Sequence, residues 1–240
     1  MQVGNSIGGG LSAGAAASLG TKICRGLVLL NTAGVLLDPD TFNERDTGID
    51  SYTKAALEGN PEETYSPVPI VGNKALDLFG SAIVGLIYPQ IEKRLSLIYG
   101  NRMQNADPAV VYAIQQGAMS PGSSNVIGCG QKLAPNRPLN EVLMGTGEDD
   151  GQSGFPTLVV MGLNDQVSSP QVAKTRAELF SRLDPKTITL EEIVDAGHCP
   201  HDETPDKVAS HMLKWLSSAL SPTSTTAMGV GKKTVVASAE

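Results

Sequence analysis

Aromatic residues make up only 4% of this sequence, and cysteine and histidine occur three times each. Positive charge is also short: 18 Lys and Arg stand against 25 Asp and Glu, a net charge of −7. A surface that coats nucleic-acid phosphates needs clustered Lys and Arg, so no nucleic-acid partner is expected. No run approaches the roughly 18 apolar residues that span a bilayer, so no transmembrane segment is expected. Cys24, Cys129 and Cys199 are odd in number and form no CxxC pair, which argues against a disulfide framework or a zinc ribbon. His198-Cys199-Pro200-His201 offers ligand types, but three histidines in all leave too few partners for a closed zinc site, and no metal is expected. Residues 1–20 lack the basic and leucine-rich regions of a signal peptide. What is present suits a folded core: 240 residues, 40% of them hydrophobic and 18% charged.

Apolar runs and turn residues divide the chain into elements. Leu11–Leu19 collects helix formers and small residues that permit close packing. Gly26-Leu27-Val28-Leu29-Leu30-Asn31, an apolar run bounded by Gly and Asn, predicts a buried strand. Asp38-Pro39-Asp40, Gly59-Asn60-Pro61, Pro67 and Pro69 then break the chain into loops and short helices. Ala75–Tyr88 is apolar nearly all round, which predicts a helix that is buried or faces a ligand and stops at Pro89. Ile91–Tyr99 and Asp107–Gln116 predict further helices, the second with Asp107 as N-cap and Pro108 at its first position. Leu158–Gly162 predicts a strand, Pro170–Leu183 an amphipathic helix, and Thr187–Val194 another strand. Thr204–Leu220 predicts a closing helix with Thr204 as N-cap and Val208, Met212, Trp215 and Leu216 along one face. The Ser/Thr/Gly/Lys-rich stretch 221–240 predicts a disordered tail. Strands alternating with helices predict an α/β fold whose sheet is largely parallel and covered on both faces.

The most informative motif is Gly4-Asn5-Ser6-Ile7-Gly8, a G-x-S-x-G pattern between a strand end and a helix. A nucleophilic serine needs a sharp turn to stand clear of the sheet, and flanking glycines let neighbouring backbone pass closely. The following helix aims its first N–H groups at the place where an oxyanion forms, which makes the Ile7 amide a candidate donor. A Gly-rich strand–helix turn without chemistry fits the same motif. Gly8-Gly9-Gly10-Leu11-Ser12-Ala13 also matches a dinucleotide fingerprint. Val3–Ile7 is not a strand core, however, and no acidic residue lies about 20 positions on, so no cofactor is expected.

A nucleophilic serine needs a base and an acid that orients it. Asp165 follows the Leu158–Gly162 strand and His198 follows the Thr187–Val194 strand, at the strand ends where sites of parallel sheets gather. The order Ser6, Asp165, His198 is that of an α/β-hydrolase triad. Asp165 read alone fits a loop residue capping a turn. Asp38 is the alternative acid, although its Asp-Pro-Asp context reads as a plain turn. His201 reads as a structural residue of the loop, and Cys199 as a packing residue.

With these residues the chain resembles the α/β-hydrolase superfamily. Gly4-Asn5-Ser6-Ile7-Gly8-Gly9, Ile98-Tyr99-Gly100-Asn101, Arg137-Pro138-Leu139-Asn140 and Gly197-His198-Cys199-Pro200-His201-Asp202-Glu203 resemble the pheophytinase-like hydrolases of plants, algae and cyanobacteria. The resemblance covers about residues 1–218. It implies Ser6 as nucleophile, Asp165 as acid and His198 as base. It also implies a hydrolase core over 1–31 and 156–220, a helical cap inserted over 32–155, and a plastid location. The upstream strands of such proteins, and the loop that donates a second oxyanion N–H, have no counterpart in these 240 residues. The expectation is therefore the C-terminal part of the fold, with an unpaired strand edge beside residues 1–5.

The expected chemistry is hydrolysis of a hydrophobic small-molecule ester, which the resemblance narrows to a phytyl or other long-chain ester. Serine at the nucleophile position disfavours the epoxide hydrolase and dehalogenase relatives, which use aspartate there. The alternative expectation is a truncated, inactive hydrolase or a non-enzymatic binding module.

Overall fold

Leu27–Leu30 is apolar at every position, and it forms a strand with all four residues buried (β2). Thr157–Gly162 (β3) is likewise buried along its whole length. Residues buried on both faces are what an inner parallel strand requires. Gln2–Asn5 (β1) lies outside β2, and Ile188–Ile193 (β4) lies outside β3. All three pairings are parallel, in the order β1-β2-β3-β4, with Gly4, Leu29, Val159 and Leu190 in register. All four strands therefore end on one side, and the loops carrying Ser6, Asn31, Asp165 and His198 emerge together there. The computed structural model describes residues 1–20, 23–44, 74–100, 103–129, 138–144 and 156–219. The expected turns at Gly59-Asn60-Pro61, Pro67 and Pro69, the Arg137 and Asn101 positions and the 221–240 tail lie outside these residues.

The strand period of two sends alternate side chains to opposite faces. Leu27, Leu29, Val159, Met161 and Ile188 face one side. There they meet Ala13 and Ala16 of Ile7–Leu19 (α1) and Ala177 and Phe180 of a helix over Pro170–Ser181. Val28, Leu30, Leu158, Val160 and Ile193 face the other side, against Val208 and Trp215 of Pro205–Ala219. That last helix buries the face expected of it, with Met212 and Leu216 partly buried beside the core.

Among the described residues, the α-helices between β2 and β3 are Pro39–Glu44 (α2), Lys74–Ile87 (α3), Ile91–Ile98 (α4), Pro108–Ala118 (α5), Ser123–Cys129 (α6) and Leu139–Met144 (α7). Those after β3 are Pro170–Ser181 (α8), Pro200–Glu203 (α9) and Pro205–Ala219 (α10). Asp107 caps α5 as expected, its carboxylate accepting from the Val110 amide at 2.9 Å, with Pro108 at the first position. Leu139, Val142 and Leu143 of α7 join the core beside α1.

Three expectations need correction. The first is α3, which is neither buried nor turned toward the cavity described below: Gly80 is its one buried residue, and Leu78 and Leu86 are 74% and 63% exposed. Apolarity all round identifies a helix without saying which side is covered. The second is α1, which starts at Ile7 rather than Leu11 and takes in Gly8, Gly9 and Gly10. Glycine weakens a helix by about 1 kcal/mol per residue relative to alanine, and tertiary contact overrides that here. A Cβ on Gly9 would stand 2.3 Å from the Thr32 hydroxyl oxygen. Third, Val3, Gly4 and Asn5 belong to β1, although Gly8, Gly9 and Gly10 are helical rather than a phosphate-cradling turn.

Candidate active site

One residue separates β1 from α1, and that residue is Ser6. Turning a strand into a helix within a single residue forces an unusual backbone, and Ser6 has φ 53° and ψ −125°. A positive φ on a non-glycine residue costs about 1–3 kcal/mol and persists only where neighbours impose it. Here the Ser6 amide donates to the Leu30 carbonyl at 3.1 Å. Its own carbonyl accepts from the Gly9 amide at 2.9 Å and the Ala33 amide at 2.8 Å. Gly4 is required by close approach, since a Cβ there would lie 2.2 Å from the Gly8 carbonyl oxygen. A Cβ on Gly8 would meet nothing within 4 Å, so the second motif glycine has no such steric reason, and Gly9 has one instead. The Ser6 hydroxyl makes no capping bond. Ile7, the next residue, carries one of the first-turn N–H groups that a helix leaves without an intrahelical acceptor.

Asp165 is 3% exposed, beyond the end of β3, and its carboxylate is fully engaged. Oδ1 accepts from the Val167 amide at 2.8 Å and the Ser168 amide at 3.3 Å. Oδ2 accepts from Ser168 Oγ at 3.0 Å, from Asn31 Nδ2 at 3.2 Å and from His198 Nδ1 at 2.8 Å. Burial pushes the carboxyl pKa up, but the hydrogen bond and charge of His198, with the Val167 and Asn31 bonds, outweigh it and hold the group at about 2. An ionised Asp165 fixes His198 as the tautomer protonated on Nδ1, which leaves Nε2 as the ring's basic atom. The expected acid and base are thus in direct contact. Asp38, the alternative acid, instead pairs at the surface with Arg182 at 2.8 Å.

The loop that carries His198 is pinned from several sides. Its amide donates to the Ile98 carbonyl at 3.0 Å, and its carbonyl accepts from Asn5 Nδ2 at 2.9 Å. Asn5 also donates to the Leu30 carbonyl at 2.9 Å, so one side chain ties the serine turn to the histidine loop. Glu203, 1% exposed on α9, accepts from the Gly197 amide at 2.9 Å. Asn31 is the matching tie for the acid, with Oδ1 accepting from the Gly162 amide at 2.6 Å and Nδ2 donating to the Gly162 carbonyl at 3.1 Å. Its φ of 37° is one that asparagine tolerates. None of these three was singled out from the sequence. A polar residue abutting an apolar strand, as at Asn31, was the available signal.

Ser6, Asp165 and His198 border one cavity of about 260 Å³, with Met161, Val167, Val172 and Arg176 among its walls. His201 is exposed on α9. Cys199 directs its thiol toward Asn5 Oδ1 at 3.8 Å, and burial, with Glu203, Asp202 and Asp165, pushes its pKa up to about 11. That is a packing thiol rather than a reactive one. Among the described residues no group of three or more His, Cys, Asp or Glu is arranged for a metal ion, and no helix is long and apolar enough to cross a membrane.

No protein-family model matches the chain, and no curated protein is significantly similar to it. Solved structures do match. A thermophilic esterase from Thermogutta terrifontis superposes with a TM-score of 0.51 at 20% identity, covering 91% of this chain and 65% of that one. A meta-cleavage product hydrolase from Pseudomonas fluorescens gives 0.51 at 19% identity, covering 90% and 64%. A bromoperoxidase from Bacillus anthracis gives 0.55 at 14% identity, covering 90% and 66%. The fold is the α/β-hydrolase fold, and the chain spans about 65% of the length of the esterase it matches.

Proposed function

We propose that this chain carries the catalytic triad of a serine hydrolase that cleaves carboxylic esters. The observation that carries the reading is the 2.8 Å contact of His198 with an ionised, buried Asp165, on a cavity shared with the strained Ser6 turn. In this reading His198 Nε2 takes the Ser6 hydroxyl proton as Oγ attacks the ester carbonyl carbon. The tetrahedral oxyanion accepts from the Ile7 amide. His198 then returns the proton to the departing alkoxide, leaving an acyl-serine. A water molecule, deprotonated by His198, attacks the acyl carbon, and the acid leaves as Ser6 regains its proton. In this reading segments 1–31 and 156–220, joined by α7, belong to the hydrolase core, and the 32–155 insertion otherwise supplies the cap.

The finer reading, a phytyl or other long-chain ester, rests on the resemblance to pheophytinase-like hydrolases. Met161, Val167 and Val172 in the cavity wall are compatible with an apolar acyl or alkyl group. A p-nitrophenyl ester series from acetate to palmitate tests both levels. Turnover that falls about 10⁶-fold in Ser6→Ala and His198→Ala is the result expected for a triad. A preference for long chains is expected for the finer reading, and equal rates along the series would remove it.

One observation favours a second reading. Val3, Ile7 and Leu11 leave apolar side chains 46%, 69% and 67% exposed beside the outer strand β1. A non-enzymatic binding module would use such a face. A folded chain that hydrolyses none of the esters supports this reading over the first.

A further inference from the structure

We infer that Arg176 is a positioning residue that sets the backbone of the Ser6 turn, by clamping the loop that holds the Ser6 carbonyl. Arg176 lies on α8, half-buried in the cavity wall, 144 residues from the loop it touches. One arm of its guanidinium donates to the Thr32 carbonyl at 2.9 Å and another to the Gly34 carbonyl at 2.9 Å. These two carbonyls flank Ala33, whose amide donates to the Ser6 carbonyl at 2.8 Å. The Thr32 carbonyl and the Ala33 amide belong to one planar peptide group, so a bond that holds this carbonyl also sets the direction of the amide, and the second bond anchors the chain two residues on at Gly34. The amide so held is one of three donors on the Ser6 carbonyl, beside those of Gly9 and Gly10, and it makes the shortest bond; that carbonyl belongs to a residue with a strained φ.

Further contacts hold each end of this relay. The guanidinium carbon lies 5.8 Å from the Phe180 ring centroid, one helical turn along α8, which limits its freedom. Thr32 rests against Gly9, whose amide is a second donor to the Ser6 carbonyl. Lysine cannot replace the arrangement, because an ammonium is a point charge without the fork. Arg182, six positions on, is the internal contrast: it pairs with Asp38 and Asp40 at the exposed surface and touches no part of the relay.

The kinetic consequence rests on the esterase reading, so the test has two arms. In the first, amide hydrogen exchange of Ala33 is followed by NMR in the wild type, Arg176→Lys, Arg176→Met and Arg182→Met. Ala33 exchanges slowly in the wild type and in Arg182→Met, and about 10-fold faster or more in both Arg176 variants, as local opening of the loop requires. Fast exchange of Ala33 in the wild type, or unchanged exchange in the variants, overturns the inference whether or not the protein is an enzyme. If neither Arg176 variant folds, the wild-type rate decides. In the second arm, kcat for a p-nitrophenyl ester falls about 10- to 100-fold in the Arg176 variants with KM within about 2-fold, the signature of a misplaced reacting group. An unchanged kcat beside faster Ala33 exchange overturns the positioning role. Absence of turnover in the wild type counts against the esterase reading and leaves the first arm to decide the inference.

Discussion

β1 and β4 are the outer strands of the four-strand order, and they deliver the two ends of the proposed triad in different ways. β4 pairs with β3 over six residues and carries Glu191 and Glu192 on its length, with Glu191 engaging His211 at 3.0 Å. β1 pairs with β2 over four residues, and no charged side chain occurs in residues 1–20. Charge on an outer strand opposes the addition of further strands, and an uncharged outer strand lacks that protection. The loops after the strands follow suit. His198 and Asp165 sit in a web of bonds from Asn5, Asn31, Ser168, Ile98 and Val167. Ser6 stands in a strained turn beside exposed Val3, Ile7 and Leu11, held through its own backbone. The acid–base side is thus rigid through side-chain bonding. The nucleophile side is rigid only where its backbone is gripped from β2 and its following loop.

The largest effect expected from this contrast is on stability. Leu158→Ala, in the inner strand with no exposure, is expected to cost about 2–5 kcal/mol. Val3→Ala on β1 is expected to stay within about 0.5 kcal/mol, as at an exposed surface position. Urea unfolding of both variants measures the difference, and equal losses would show β1 to be covered in solution.

A smaller effect concerns pH. The Asp165 pKa is lowered in the folded chain, from 3.8 to about 2, so its ionised form favours folding. That contribution, about 2 kcal/mol, is complete above the unfolded value of 3.8 and is lost as pH falls toward the folded value. Unfolding free energies between pH 5 and pH 2 are expected to show this slope in the wild type and a flatter one in Asp165→Asn. An identical slope in both would mean that Asp165 is not held by His198 in solution.

The smallest expected effects separate the two motif glycines. Gly4→Ala drives a Cβ into the Gly8 backbone and is expected to destabilise by about 1–3 kcal/mol. Gly8→Ala adds a Cβ to open space within a helix and is expected to stabilise by about 0.5–1 kcal/mol. Thermal melts of the two variants moving in the same direction would contradict the geometry of the turn.

These contrasts also mark what the sequence could reveal. β2, β3, α8 and α10 were legible because apolar runs and periodic faces sit between clear turn residues. Asp165 and His198 were legible because each follows its own strand in a characteristic order. The start of α1 was not, because glycines disfavour a helix locally and contact with Thr32 is what admits them. The one-turn helix α9 was too short to carry a period. The roles of Asn5, Asn31 and Arg176 are not legible, because their partners lie 25 to 193 residues away and nothing local distinguishes them. The exposure of α3 is not legible, because composition reports apolarity and not its neighbours.

In the proposed function Ser6, His198 and Asp165 work as one chemical unit despite their unequal supports. The most direct test is reaction of the folded chain with a fluorophosphonate, followed by peptide mass spectrometry. A single adduct is expected on Ser6, one that disappears in Ser6→Ala and forms far more slowly in His198→Ala and Asp165→Asn. A folded chain that stays unlabelled, or an adduct on another serine, would contradict it.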